Sequence, residues 1–190
     1  MARHFYALAA LILVLNTVFT SFGAYASEFK DIEWTDLIPA EDLDALLNPP
    51  EYLSQIEDGS SQDSVSAFKN KELEDDSAKR FQQALASENV ITDFDNKAVR
   101  LPGFVVPLAQ NEDRKVTAFF IVPYFGACLH MPPPPPNQII YATSEKGLTI
   151  NSLYDPFWFS GTLTIERHEK ELGTSAYSLA LANVQPYEEE

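Results

Sequence analysis

The pattern of apolar and polar positions changes character along the chain, and each change predicts a different kind of element. From Phe5 to about Phe22 apolar residues run on with little interruption, between a basic start at Arg3 and His4 and the small-x-small ending Ala24-Tyr25-Ala26. Export machinery reads that order of basic, apolar and small residues, so residues 1–26 are predicted to be a signal peptide cleaved after Ala26. A retained membrane anchor is the rival reading, because the run is nearly long enough to span a bilayer. Asn16 inside the run and the Ala-x-Ala ending weigh against it. The residue immediately after the cleavage site is Ser27 rather than cysteine, so a lipid anchor is not indicated. No later apolar run is long enough to cross a membrane, so no integral membrane segment is expected after cleavage.

Residues 27–50 predict a helical segment. Trp34-Thr35-Asp36-Leu37-Ile38 leads into Pro39 at a first helical position, with Glu41 and Asp42 in the first turn. Leu43, Leu46 and Leu47 then share one face, and Pro49-Pro50 ends the helix. Residues 51–76 are rich in Ser, Asp, Glu and Gln and predict a flexible acidic linker. A second short helix is predicted over 77–87, with Phe81 and Leu85 four apart and Asp75 or Asp76 near its cap.

After Glu88 the pattern becomes short β-rich runs separated by turn residues. The predicted strands are Asn89 to Phe94, Lys97 to Leu101, Phe104 to Leu108, Val116 to Val122, Gln138 to Ala142, Phe157 to Ile165 and Ser175 to Ala182. Asp95-Asn96 reads as a hairpin turn between the first two. Pro102-Gly103, residues 110–115, Pro132 to Pro136, Lys146-Gly147, Asp155-Pro156 and Leu172-Gly173 read as breaks. These runs leave no room for a crossover helix, so residues 77–185 are predicted to form one mainly β domain, a small barrel or sandwich. Residues 186–190 form an acidic tail. Phe157-Trp158-Phe159 reads as core and sheet face rather than a ligand platform.

Charge narrows the partners. With 13 Lys and Arg against 28 Asp and Glu, the formal net charge is −15. A field of that sign repels phosphate backbones, and the basic residues are not clustered, so no nucleic-acid partner is expected. Cys128 is the single cysteine, which excludes an intrachain disulfide. In an oxidising compartment that thiol must be buried, metal-bound or paired with another molecule.

The candidate chemistry gathers around that cysteine. Pro132 to Pro136 must be an extended rod with no part in a ladder, because proline fixes φ and has no N–H. Just before it, Cys128 and His130 stand two residues apart, which in extended chain puts both side chains on one side. Thiolate and imidazole suit zinc, and with Met131 nearby copper(I) is also chemically reasonable. A Cys128–His130 nucleophile and base is the enzymatic alternative. The bland reading is that Cys128 fills an apolar gap while His130 bonds a carbonyl. Tyr124, Phe125, Pro133, Pro134, Asn137 and Gln138 are candidates for a rigid partner-binding face that is compatible with that reading. No phosphate-binding loop, dinucleotide fingerprint or nucleophile elbow occurs. His168-Glu169 lacks the second histidine of a zinc-protease motif and reads as a solvated charged turn.

Four stretches together resemble one bacterial family: Trp34 to Pro39, Val99 to Leu108, Val122 to Gln138 with its Gly-Ala-Cys-x-His-x-polyproline-Asn-Gln string, and Ser160 to Leu163. The chain is similar to the family catalogued as domain of unknown function 3299. That resemblance implies an exported protein and a small OB-like antiparallel barrel with short N-terminal helices. It also implies an accessory role in envelope transport or metal handling. The expected function is therefore that of a periplasmic or secreted, non-enzymatic binding or accessory protein, partnered by an envelope transport component or another periplasmic protein. A thiol-dependent enzyme and a purely structural partner-binding module are the alternatives.

Overall fold

The computed structural model describes residues 29–51, 57, 60, 76–127 and 134–188. The predicted signal peptide, most of the predicted linker, Cys128, His130 and Pro133 lie outside the described residues. Among the described residues no helix is long and apolar enough to cross a membrane.

Alternating inward and outward side chains build a barrel. The strands are β1 (Lys30–Asp31), β2 (Lys97–Gln110), β3 (Val116–Val122), β4 (Ile140–Leu148), β5 (Phe157–Lys170) and β6 (Gly173–Pro186). Their order is β1-β2-β3-β4-β6-β5, and β5 pairs back onto β2, so β2 to β6 close on themselves while β1 flanks β2. Strand β2 serves two partners by dividing its length: Lys97 to Gly103 pair with β5, and Phe104 onward with β3. The β2–β3, β2–β5, β3–β4 and β5–β6 seams are antiparallel, and β4–β6 is parallel. Because β4 reaches β6 through β5, that parallel seam needs no crossover helix. The expected OB-like barrel is therefore present, with one parallel seam in an otherwise antiparallel wall.

Val99, Leu101 and Val105 of β2 point inward and are buried with Phe119, Ile121, Phe159, Leu163 and Tyr177. Each such aromatic or branched side chain contributes roughly 1.5–3 kcal/mol by leaving water. The outward series Phe104, Val106 and Leu108 packs instead with Phe120, Val122, Ala127 and Ile139 in a second, exterior cluster.

Several predicted breaks lie inside strands. Pro102-Gly103 is where β2 changes partner: the carbonyl of Pro102 accepts the Trp34 indole N–H at 2.7 Å. A Cβ on Gly103 would stand 2.6 Å from Ile121 Cγ2, so only glycine lets the two strands approach there. Gly147, at φ +68°, sits where β4 bulges against Val116 and Ala118 rather than ending. The His168 segment, predicted as a turn, continues β5 to Lys170. Conversely, Asn89 to Phe94 is not a strand. Its Ile91 N–H donates to the Tyr177 hydroxyl at 2.8 Å, and Thr92–Phe94 form a 3₁₀ turn. Val90 and Phe94 there pack against the core.

Among the described residues two short helices precede the barrel, α1 (Ala40–Leu47) and α2 (Asp76–Leu85). Pro39 is the N-cap of α1, one position earlier than predicted. The buried face of α1 is also rotated: Asp42 and Ala45 are buried while Leu47 is 70% exposed. Polar satisfaction explains the rotation. The Asp42 carboxylate accepts hydrogen bonds from Ser87 Oγ at 2.6 Å, Asn89 Nδ2 at 3.3 Å and Arg80 Nη2 at 3.3 Å. A buried charge with three donors is held far better than a solvated leucine is missed. On α2, Ala78, Phe81 and Ala84 supply the buried face.

Candidate functional site

The loops at one end of β3, β4 and β5 carry the residues singled out from sequence. After Val122 the chain turns through residues 123–127, where Gly126 takes φ +77° and Ala127 N–H donates to the Tyr124 carbonyl at 3.3 Å. That turn leaves Tyr124 and Phe125 47% and 39% exposed while Ala127 is buried in the exterior cluster. On the far side of the loop Pro134 and Pro135 are buried, and Pro136–Gln138 form a 3₁₀ turn into β4.

Asn137 and Gln138 act as internal braces. Asn137 is fully buried and its Nδ2 donates to the Asn89 carbonyl at 2.9 Å. Gln138 Nε2 donates to the Trp34 carbonyl at 2.8 Å and to the Asn137 carbonyl at 3.2 Å. Both amides therefore tie the loop to the segments that precede the barrel. Asn137 Oδ1 is buried with no hydrogen-bond partner among the described residues. The exposed part of the sequence-predicted face is thus Tyr124 and Phe125, and the structure adds two residues to it. The Phe125 and Tyr154 rings stack at 4.2 Å between centroids with planes 32° apart, joining the β3–β4 loop to the β4–β5 loop. Tyr154 is 72% exposed, and Leu153 beside it 42%. A sequence signal for this pair existed: large apolar residues inside the turn-rich stretch Asn151 to Pro156, where no strand or helix face asks for them.

A second aromatic group lies on the outer wall. His168 of β5 stacks on Tyr141 of β4 at 4.1 Å, and the Lys170 ammonium stands 5.2 Å from the same tyrosine ring. His168 Nε2 is 3.5 Å from the Glu166 carboxylate, a contact too poorly aligned to count as a hydrogen bond. Among the described residues no group of three or more His, Cys, Asp or Glu side chains is placed to hold a metal ion.

Tyr177 clasps the whole arrangement from beneath. Its hydroxyl donates to the Leu37 carbonyl at 3.0 Å and accepts from Ile91 N–H. Burial pushes its phenol above the ordinary value of 10.0, partly offset by the Ile91 hydrogen bond. One side chain of β6 thereby fixes both segments that the loop amides also bind.

The topology and the braced loops define a small OB-like β-barrel protein with an exposed aromatic pair at one end. The family described as protein of unknown function (DUF3299) matches residues 34–186, and the chain belongs to that family. The structure is similar to the crystal structure of a DUF3299 family protein from Pseudomonas aeruginosa PAO1, at 32% sequence identity and a TM-score of 0.61. That match covers 85% of this chain and 98% of the Pseudomonas chain. No curated protein matches.

Proposed function

We propose that this chain is an exported, non-enzymatic binding protein of the bacterial envelope that engages a partner protein through Tyr124, Phe125, Leu153 and Tyr154. The observation that carries the reading is the Phe125–Tyr154 stack, a ring pair held together on the surface at 4.2 Å. Two aromatic rings left in water are costly unless a partner covers them, and contiguous exposed apolar groups mark interaction sites. Tyrosine and its neighbours also suit the centre of an interface, where a few aromatic anchors supply most of the affinity. Because the rings already stack, little side-chain freedom is lost on association. Export is supported by the basic start, apolar run and Ala24-Tyr25-Ala26 ending. The net charge of −15 favours a partner whose contact surface has a basic rim, such as a component of an envelope transport assembly.

The test is photo-cross-linking in cells from a reactive amino acid placed at Tyr154 or Phe125, followed by envelope fractionation. A discrete adduct from both positions, absent from the exposed barrel position Glu145, is expected in the periplasmic or secreted fraction. No adduct from either ring position, or a protein retained uncleaved in the cytosol, overturns the reading.

A further inference from the structure

On a different part of the barrel, the outer surface of β1, β2, β5 and β6 forms a cavity of about 610 Å³ lined by Asp31, Arg100, Trp158, Gln185, Tyr187 and Glu188. Its size falls within the range of small-molecule sites. Strand pairing puts the shelf together: Trp158 sits opposite Pro102 on β2 and Gln185 on β6. Arg100 lies one pleat along β2, with its guanidinium carbon 4.0 Å from the centre of the Trp158 ring. Asp31 on β1 pairs with Arg100 at 3.6 Å and restrains it there. Tyr187 extends the shelf, with its ring 5.2 Å from Trp158 and the planes 31° apart. The Tyr187 N–H donates to the Pro156 carbonyl at 3.0 Å, so the chain end is fastened to the start of β5.

We infer that this cavity binds a neutral saccharide. The donor set decides between ligand classes. Asp31, Glu188 and the net charge of −15 disfavour an anionic ligand. A cationic ligand meets Arg100 already stacked on the tryptophan. A wholly apolar ligand would strip water from the carboxylates, guanidinium and carboxamide without replacing their hydrogen bonds. A sugar answers all three: its C–H face packs on aromatic rings, and its vicinal hydroxyls both donate and accept. Planar guanidinium, carboxylate and carboxamide groups match such hydroxyl pairs. The site shares no residue with the Phe125–Tyr154 face, so the two readings stand or fall separately.

The experiment is titration of the purified protein with neutral oligosaccharides of glucose, N-acetylglucosamine, mannose and galactose, read by the indole N–H resonances of Trp34 and Trp158. A uronic-acid oligomer serves as the charged comparison. The expected result is a saturable shift of Trp158 with Trp34 unmoved, for at least one neutral sugar. Tyr187→Ala and Gln185→Ala should each weaken that binding at least tenfold while the other amide resonances stay in place. The inference is overturned if no neutral sugar moves Trp158, if the uronic-acid oligomer binds more tightly, or if both variants bind as the parent does.

Discussion

Replacing Tyr177 by Phe removes one oxygen from the point where the barrel grips the segments leading into it. The phenol is fully buried, and its hydroxyl bonds both the Leu37 carbonyl and the Ile91 N–H. Phenylalanine keeps the ring and its packing, so the loss isolates the two hydrogen bonds. A buried backbone group left without its partner costs about 1–3 kcal/mol, so the variant should lose about 2 kcal/mol overall. For a domain of this size each kcal/mol corresponds to roughly 2–4 °C in melting temperature. Urea unfolding should show a lower midpoint with unchanged slope, since the surface exposed on unfolding is the same. Tyr154→Phe, on the exposed ring, is the control and should fall within about 0.5 kcal/mol of the parent. The pH dependence carries a second signature. Because the folded-state value is raised above 10.0, the neutral phenol is bound more tightly in the folded chain. Its contribution is complete below pH 10.0 and is lost as pH rises through the folded value. The parent should therefore lose stability at alkaline pH more steeply than Tyr177→Phe. Equal stability of parent and variant at neutral pH, or parallel alkaline curves, refutes the clasp.

Asp42→Ala should cost about 2–3 kcal/mol through loss of charge-assisted hydrogen bonds, with faster amide exchange concentrated in α1 and α2, as mapped by mass spectrometry. Gly103→Ala should cost about 1–3 kcal/mol by overpacking against Ile121, measured by chemical denaturation. Metal analysis of freshly purified protein, with Cys128→Ala and His130→Ala alongside, addresses zinc and copper(I). Two donors fall short of the four of a structural zinc site, so no stoichiometric metal is expected. Bound metal that both substitutions abolish would establish the site instead. Alkylation of Cys128 at neutral pH should proceed no faster than in an unstructured thiol, whereas a much faster reaction would point to an activated nucleophile.

The fold was legible where alternation was long and the residues apolar. Val116 to Val122 reads as a strand and is one, with Phe119 and Ile121 to the core and Phe120 and Val122 to the exterior cluster. It was illegible where local turn chemistry was overruled by barrel geometry. Pro102-Gly103 resembles a break, yet the same lack of N–H and of Cβ is what a strand needs where it bends between two neighbours. Among the described residues the seven predicted runs resolve into five long barrel strands. The Asn89 to Phe94 run fails in the other direction. Its apolar residues cap the core, and its backbone N–H goes to a tyrosine that sequence places 86 residues away. On α1 the leucine face was plausible from periodicity, but the donors to Asp42 come from α2 and the segment after it. At the candidate site Tyr124 and Phe125 were visible as residues. Their stacking partner was not, because the pairing of Phe125 with Tyr154 depends on how two loops meet at one end of the barrel.

Hydrogen exchange of the purified protein, alone and with the partner captured by cross-linking from Tyr154, tests the proposed binding face most directly. Slowed exchange confined to residues 123–127 and 149–156, with the barrel strands unchanged, is expected. Protection elsewhere on the molecule, with both of those loops exchanging as in the free protein, would contradict it.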